Sequence, residues 1–198
     1  MKRYTTYIFD FDYTLVDSSR GIVTCFRHVL GNHGHTGVTD TEIKRTIGKT
    51  LEESFSILTG ITEAGTLADY KREYVKAADV HMTANTFFFP ETIEVLEALK
   101  SQGAVLGIGL VDFIVGGEDV KAAKPDPEGL LLAIGRASGG GKSEVLYVGD
   151  SVVDAATAQA AGTDFSGVLH GMTTREELEA YPHVAIVDDL RGILPIPV

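Results

Sequence analysis

Residues 7–15 read YIFDFDYTL: an apolar run ends in two aspartates, Asp10 and Asp12, two positions apart. Tyr4 to Phe9 has the composition of a buried strand. In an extended strand residues i and i+2 point to one side. The two carboxylates therefore converge past the strand's carboxyl end, where open α/β sheets bind their ligands. Far downstream, "LYVGDSVVD" repeats the design, an apolar strand followed by Gly149, Asp150 and Asp154. If the two strands are neighbours, three or four carboxylates share one crevice, and like charges that close drive their pKa values apart. A hard divalent cation removes the conflict, and Mg2+ takes oxygen ligands, commonly waters beside one or two carboxylates. Taken singly, each pair reads equally well as a turn or a helix cap. The repetition of strand then aspartates is what points to a metal.

"KAAKPDPEG" supplies positive charge. Lys124 precedes Pro125, which holds it extended, and a following helix can carry it to the sheet's carboxyl edge. Lys121 is the competing candidate. Either lysine, read alone, is a solvated loop residue.

Around these motifs, strand-like and helix-like segments alternate, which predicts an α/β fold with a parallel sheet. "GIVTCFRHVL" places Ile22, Phe26, Val29 and Leu30 on one helical face. Thr39 with Glu42, and Thr50 with Glu53, have capping-box spacing, and a longer polar helix is expected over 63–79. Residues from about 16 to 87 therefore read as wholly helical, inserted after the first strand. "FPETIEVLEALKSQG" resumes the alternation, with Ile93, Leu96 and Leu99 facing inward and Gly103 as the stop. Further strands are expected at Ala104–Ile108, Asp112–Val115, Val145–Val148, Phe165–Leu169 and Val184–Val187. A helix should follow the Asp126 cap, with Pro127 in its first position, and "SVVDAATAQAAG" should form another.

The chain has 198 residues, enough for one sizeable core or a core with a small added domain. Its net charge of −11 argues against nucleic acid or an anionic membrane as the partner. No apolar run approaches the ~20 residues that span a bilayer, and the N-terminus lacks the apolar stretch of a signal peptide. The single cysteine, Cys25, suits a reducing cytoplasm.

"DFDYT" at 10–14, "KPDPE" at 124–128 and "GDSVVD" at 149–154 resemble, in the expected order, the haloacid dehalogenase superfamily, and "FPETIEVLEALKSQG" resembles its phosphoglycolate phosphatase-like branch. The resemblance covers nearly the whole chain. It implies a Rossmann-like core over 1–15 and 88–198 with an inserted all-helical cap over 16–87. It further implies a Mg2+-dependent phosphatase acting on a small phosphorylated metabolite. Asp10 would be the nucleophile, forming an aspartyl-phosphate; Asp12 would be the general acid and base; Lys124 would stabilise both nucleophile and phosphoryl oxygens. The metal would be held by Asp10, the Asp12 backbone carbonyl and Asp150, with Asp154 supporting. The second acid, Asp12, favours phosphate esters over dehalogenation. A phosphosugar mutase or a non-catalytic binding member are the alternatives, and neither oligomeric state nor substrate is legible.

The sequence departs from the family pattern twice. Tyr13 stands where glycine is usual. At "AVLGIGLVDFIVGGEDV" the expected Ser or Thr and the following helix are missing: Gly109 and Leu110 lead straight into "VDFIV". Parallel neighbours need a crossover of about a dozen residues or more, which the stretch between Ile108 and Asp112 cannot supply. Either this is one continuous or rearranged strand, or the natural chain carries residues that this sequence lacks; the intact flanks favour the latter.

Other features read as structural. "SGGGKS" at 138–143 lacks the first glycine of a phosphate loop and precedes a strand instead of following one. The six histidines, His33 and His35 among them, have no zinc spacing with cysteine. "FFF" at 87–89 is expected to pack near the hinge between cap and core. Lys49 is a candidate specificity residue, with a plain helix-flanking lysine as the alternative.

Overall fold

The computed structural model describes residues 2–107, 115–116, 119–137 and 141–195. The chain forms two compact units, one of Met1–Val16 with Phe88–Val198, the other of Asp17–Phe87.

The first unit is built on a five-stranded parallel sheet: β1 (Thr6–Phe9), β4 (Val105–Gly107), β5 (Val145–Gly149), β6 (Asp164–Val168) and β7 (Ala185–Val187). The spatial order is β4-β1-β5-β6-β7, so β1 and β5 are direct neighbours, with Phe9 opposite Val148. Strand periodicity divides their side chains between two cores. Tyr7, Phe9, Leu146 and Val148 face one side, with Val95, Leu96 and Leu99 of α5 (Thr92–Ser101). Ile8, Val145 and Tyr147 face the other, against Leu130 and Ala133 of α6 (Glu128–Arg136) and Ala155, Ala158 and Ala161 of α7 (Val152–Ala161). The alanines keep α7 close to the sheet. Leu146 is fully buried in the central strand, where truncation to alanine costs about 2–5 kcal/mol.

The second unit packs α1 (Ser19–Asn32), α2 (Asp40–Lys44), α3 (Leu51–Thr59) and α4 (Ala64–His81) around Phe26, Leu30, Phe55, Tyr70 and Tyr74. Thr39 and Glu42 form the full capping box; Thr50 accepts from the Glu53 amide. Cys25 is free and buried in this core.

Several expectations shift in detail. The segment 16–87 is not wholly helical: β2 (Val16–Asp17) and β3 (Phe87–Phe88) pair as a small sheet of their own at the points where the chain passes between the units. Ile93 is only half-buried, and Val95 takes the inward place beside Leu96 and Leu99. α6 begins at Glu128, one residue past Pro127, although Asp126 still accepts from the Glu128 amide. Of the "FFF" run, Phe87 and Phe88 are exposed and only Phe89 is packed, against His170. The short α8 (Arg175–Glu179), capped by Thr174, was not anticipated. The strand expected at Asp112–Val115 lies, but for Val115, outside the described residues; Val115 itself is not in a strand.

Candidate active site

The β1 ladder runs one residue beyond the strand, the Asp10 amide donating to the Val148 carbonyl at 2.8 Å. That bond brings the exits of β1 and β5 side by side. Asp10, Asp150 and Asp154 present carboxylate oxygens all within 4.8 Å of one another. Past Asp10 the chain turns sharply: the Leu15 amide returns to the Phe11 carbonyl, and the Tyr13 amide donates to Val16. Tyr13 has φ of 56°, in the left-handed region that glycine adopts freely. A non-glycine residue there costs about 1–2 kcal/mol, which places the departure from the usual glycine at the turn's strained position. Its side chain is buried, so the ring offsets part of that cost.

Lys124 reaches the cluster. Its Nζ lies 2.5 Å from Asp10 Oδ1 and 2.7 Å from Asp154 Oδ1, bridging the two strand ends. Lys121 does not take this part: it is exposed, and its amide donates to Glu128. Asp154 has both oxygens engaged. Oδ1 also accepts from the Tyr147 hydroxyl at 2.9 Å, and Oδ2 accepts from the Ser151 hydroxyl at 2.6 Å in the capping box of α7. Such occupancy suits a supporting carboxylate better than a metal ligand. Two glycines make room for the arrangement. A Cβ at Gly149 would come within 2.5 Å of Asp154 Cβ, and one at Gly171 would overlap Asp150 Oδ2.

The electrostatics follow from enclosing these groups together. Burial, partly countered by Lys124 and reinforced by Asp154 and Asp12, raises Asp10 to about 6. Burial, with the charges of Asp154 and Asp10, holds Asp150 well above the carboxylate range. Asp154 goes the other way: burial opposes its charge, but Lys124, Ser151 and Tyr147 outweigh it and lower its pKa. Burial likewise opposes the charge of Lys124, and Asp10 with Asp154 overcomes it, so the amine stays firmly protonated. Three carboxylates against one ammonium leave the cluster short of positive charge, and its all-oxygen donor set is that of a hard divalent cation.

Asp12 stands outside the three-carboxylate cluster; it is half-buried, and its backbone bridges to Val16. Tyr147, Ser151 and Gly171 were missed by sequence reasoning. Ser151 and Asp154 had capping spacing as a signal; Tyr147 is indistinguishable from its strand neighbours until the sheet assigns its face. Lys49 pairs with Glu53 one helical turn on, in the second unit. Lys142 of "SGGGKS" donates to the Ala161 carbonyl, as a structural lysine does. His33 pairs with Glu73, and His35 contacts the Tyr70 hydroxyl.

A family model described as haloacid dehalogenase-like hydrolase matches residues 7–109 and 108–168, in two pieces that meet where the sequence pattern breaks. A crystal structure of a haloacid dehalogenase-like hydrolase from Bacteroides fragilis is 55% identical, covers 97% of this chain and 100% of its own, and superposes with a TM-score of 0.94. The pyrophosphatase PpaX of Bacillus velezensis is 28% identical over 98% of this chain and 97% of its own length. The phosphoglycolate phosphatase of Pectobacterium atrosepticum is 27% identical over 95% and 90%. The PpaX alignment runs over 214 positions, more than the 198 residues of this chain, so that relative carries residues without a counterpart here.

Proposed function

The chain belongs to the haloacid dehalogenase-like hydrolases and is a phosphatase of that family; from that premise we propose that it hydrolyses a small phosphorylated metabolite through an aspartyl-phosphate on Asp10, with Mg2+ as cofactor. One observation carries this reading: the oxygens of Asp10, Asp150 and Asp154 converge within 4.8 Å, with a lysine bridging the first and last.

An Asp10 carboxylate oxygen attacks phosphorus as the bond to the leaving oxygen breaks, and Asp12 gives its proton to that oxygen. Asp12 then takes a proton from water, the water oxygen attacks phosphorus, and the bond to Asp10 breaks, releasing inorganic phosphate. Lys124 orients Asp10 and offers its ammonium to the transferring oxygens. When bound by Asp10, Asp150 and the Asp12 backbone carbonyl, the ion supplies positive charge to the phosphoryl oxygens. Asp154 holds Lys124. The substrate is a small metabolite, with pyrophosphate and phosphoglycolate, after the relatives' names, as the first compounds to assay. The helical unit, over 16–87, serves as a cap that selects the leaving group.

The test is a magnesium-dependent assay with an aryl phosphate beside the Asp10→Asn variant. We expect the variant to lose at least about a thousandfold in kcat, in the range of nucleophile removal, while remaining folded. Activity surviving the substitution would remove Asp10 from its role.

A second reading has its own support. The family match breaks at residues 108–109, and the hydroxyl-bearing residue expected there is replaced by Gly109 and Leu110. A chain so shortened in nature would bind metal or phosphate with little turnover. An intact mass at the 21.2 kDa of this sequence, together with an inactive parent protein, supports that reading; a mass larger by some 20 residues removes it.

A further inference from the structure

His170 lies just past β6 and is not part of the chemistry described above. Its side chain is only 9% exposed and faces Glu91, itself 6% exposed, with Nε2 3.0 Å from Oε1. The approach is close enough for an ion pair but off the axis of a hydrogen bond, since Oε1 has no hydrogen-bond partner. The other ring nitrogen, Nδ1, is 3.3 Å from the Thr14 carbonyl oxygen. The Phe89 ring lies over the imidazole, with centroids 3.9 Å apart. The neighbouring carbonyl, that of Leu15, is also held, by the Thr92 hydroxyl at 2.8 Å and the Phe89 amide at 3.3 Å.

The position of this imidazole matters more than its burial. Thr14 ends the turn that leaves Asp10, and that turn contains the left-handed Tyr13, a conformation that persists only where surrounding contacts over-determine it. The next residue, Gly171, abuts Asp150 so closely that a Cβ would overlap Oδ2 and sit 3.3 Å from Tyr13 Cβ. Residues 170 and 171 thus touch both sides of the carboxylate cluster: the side chain grips the Asp10 turn, and the backbone walls Asp150.

We propose that His170 is a positioning residue, oriented by Glu91, that holds the Asp10–Thr14 turn at the separation from Asp150 at which the two carboxylates share a divalent ion. It acts through the turn's backbone and touches neither substrate nor metal. This rests on the metal reading given above. Outer partners of metal ligands alter affinity by about 10- to 100-fold when removed. A histidine that merely fills space would alter folding stability alone.

The test measures binding of Mn2+, as a Mg2+ surrogate, by calorimetry or paramagnetic resonance, beside thermal unfolding of the metal-free protein. His170→Ala should weaken Mn2+ binding about tenfold or more. His170→Gln, whose amide can still donate toward Thr14, should recover most of it. Glu91→Gln, which keeps its volume, should weaken binding about threefold and remains informative if His170→Ala fails to fold. Variants that bind Mn2+ like the parent, whatever their unfolding temperatures, overturn the proposal. A parent protein that binds no Mn2+ overturns the metal reading and this one with it.

Discussion

Acidic side chains meet cations in two places with opposite consequences. In the helical unit, Lys71 pairs with Glu52 at 2.7 Å, with side chains 48% and 38% exposed. At the ends of β1 and β5, Lys124 pairs with Asp154, which is 2% exposed, and with Asp10, while Asp150 adds a third carboxylate. The first pair sits in water, which screens its attraction and would replace it readily. The second is enclosed, and enclosure makes every uncompensated charge costly. A fold selected for stability alone would not gather three carboxylates around one lysine. The excess negative charge is what the proposed divalent cation would offset.

Breaking the buried side should have the largest effect. Lys124→Met leaves Asp10 and Asp154 without their cation; because the Lys124 side chain is 34% exposed, the loss in metal-free denaturant unfolding should fall short of the fully buried case, at about 2–3 kcal/mol, with no measurable phosphatase activity. A loss below about 1 kcal/mol would put the buried pair on a level with the exposed ones.

Acidity sharpens the comparison at intermediate size. The folded pKa of Asp10 is raised from 3.8 to about 6, and that of Asp150 is raised too. The native state then holds protons more tightly than the unfolded chain, so the metal-free protein should lose stability as pH climbs from about 4 through 6. Asp154, with its lowered pKa, contributes stability that is present throughout that window and is lost only as pH falls below about 4. Added Mg2+ must meet ionised carboxylates, so it should raise the unfolding temperature more at pH 7.5 than at pH 5. Equal shifts at the two pH values, or none, would contradict the electrostatic account of the cluster.

The smallest effect belongs to the exposed pair. Lys71→Ala should change stability by less than about 1 kcal/mol and leave kcat for an aryl phosphate unchanged. A large loss of stability would mean that the helical unit depends on surface charge in a way its exposure does not suggest.

Much of the site was legible because its signals are local. Asp10 and Asp150 each follow an apolar run, and they meet at adjacent strand ends; Asp12, expected to converge with Asp10 by a strand's two-residue period, does not join them, because β1 ends at Phe9 and the chain turns after Asp10. Lys124 was favoured over Lys121 by the Pro125 that follows it, but only the fold shows which amine reaches the carboxylates. Tyr13 could be seen as a departure from pattern, but its left-handed backbone could not. Glu91 and His170 gave no local signal because their partners, His170 and Thr14, lie 79 and 156 positions away in sequence, and Tyr147, though near Asp154 in sequence, gave none because only the sheet assigns its face.

By itself, then, the order of apolar runs and turn residues determined an α/β chain with a parallel sheet, a helical insertion and acidic groups at strand ends, since these follow from periodicities of two and 3.6 residues. Only the tertiary structure decided that β1 lies against β5, that Lys124 bridges Asp10 and Asp154, and that His170 lies against the Thr14 carbonyl of the turn after Asp10. Strand order and contacts between distant loops depend on how whole faces pack, and packing is a property of three-dimensional complementarity that no window of sequence contains.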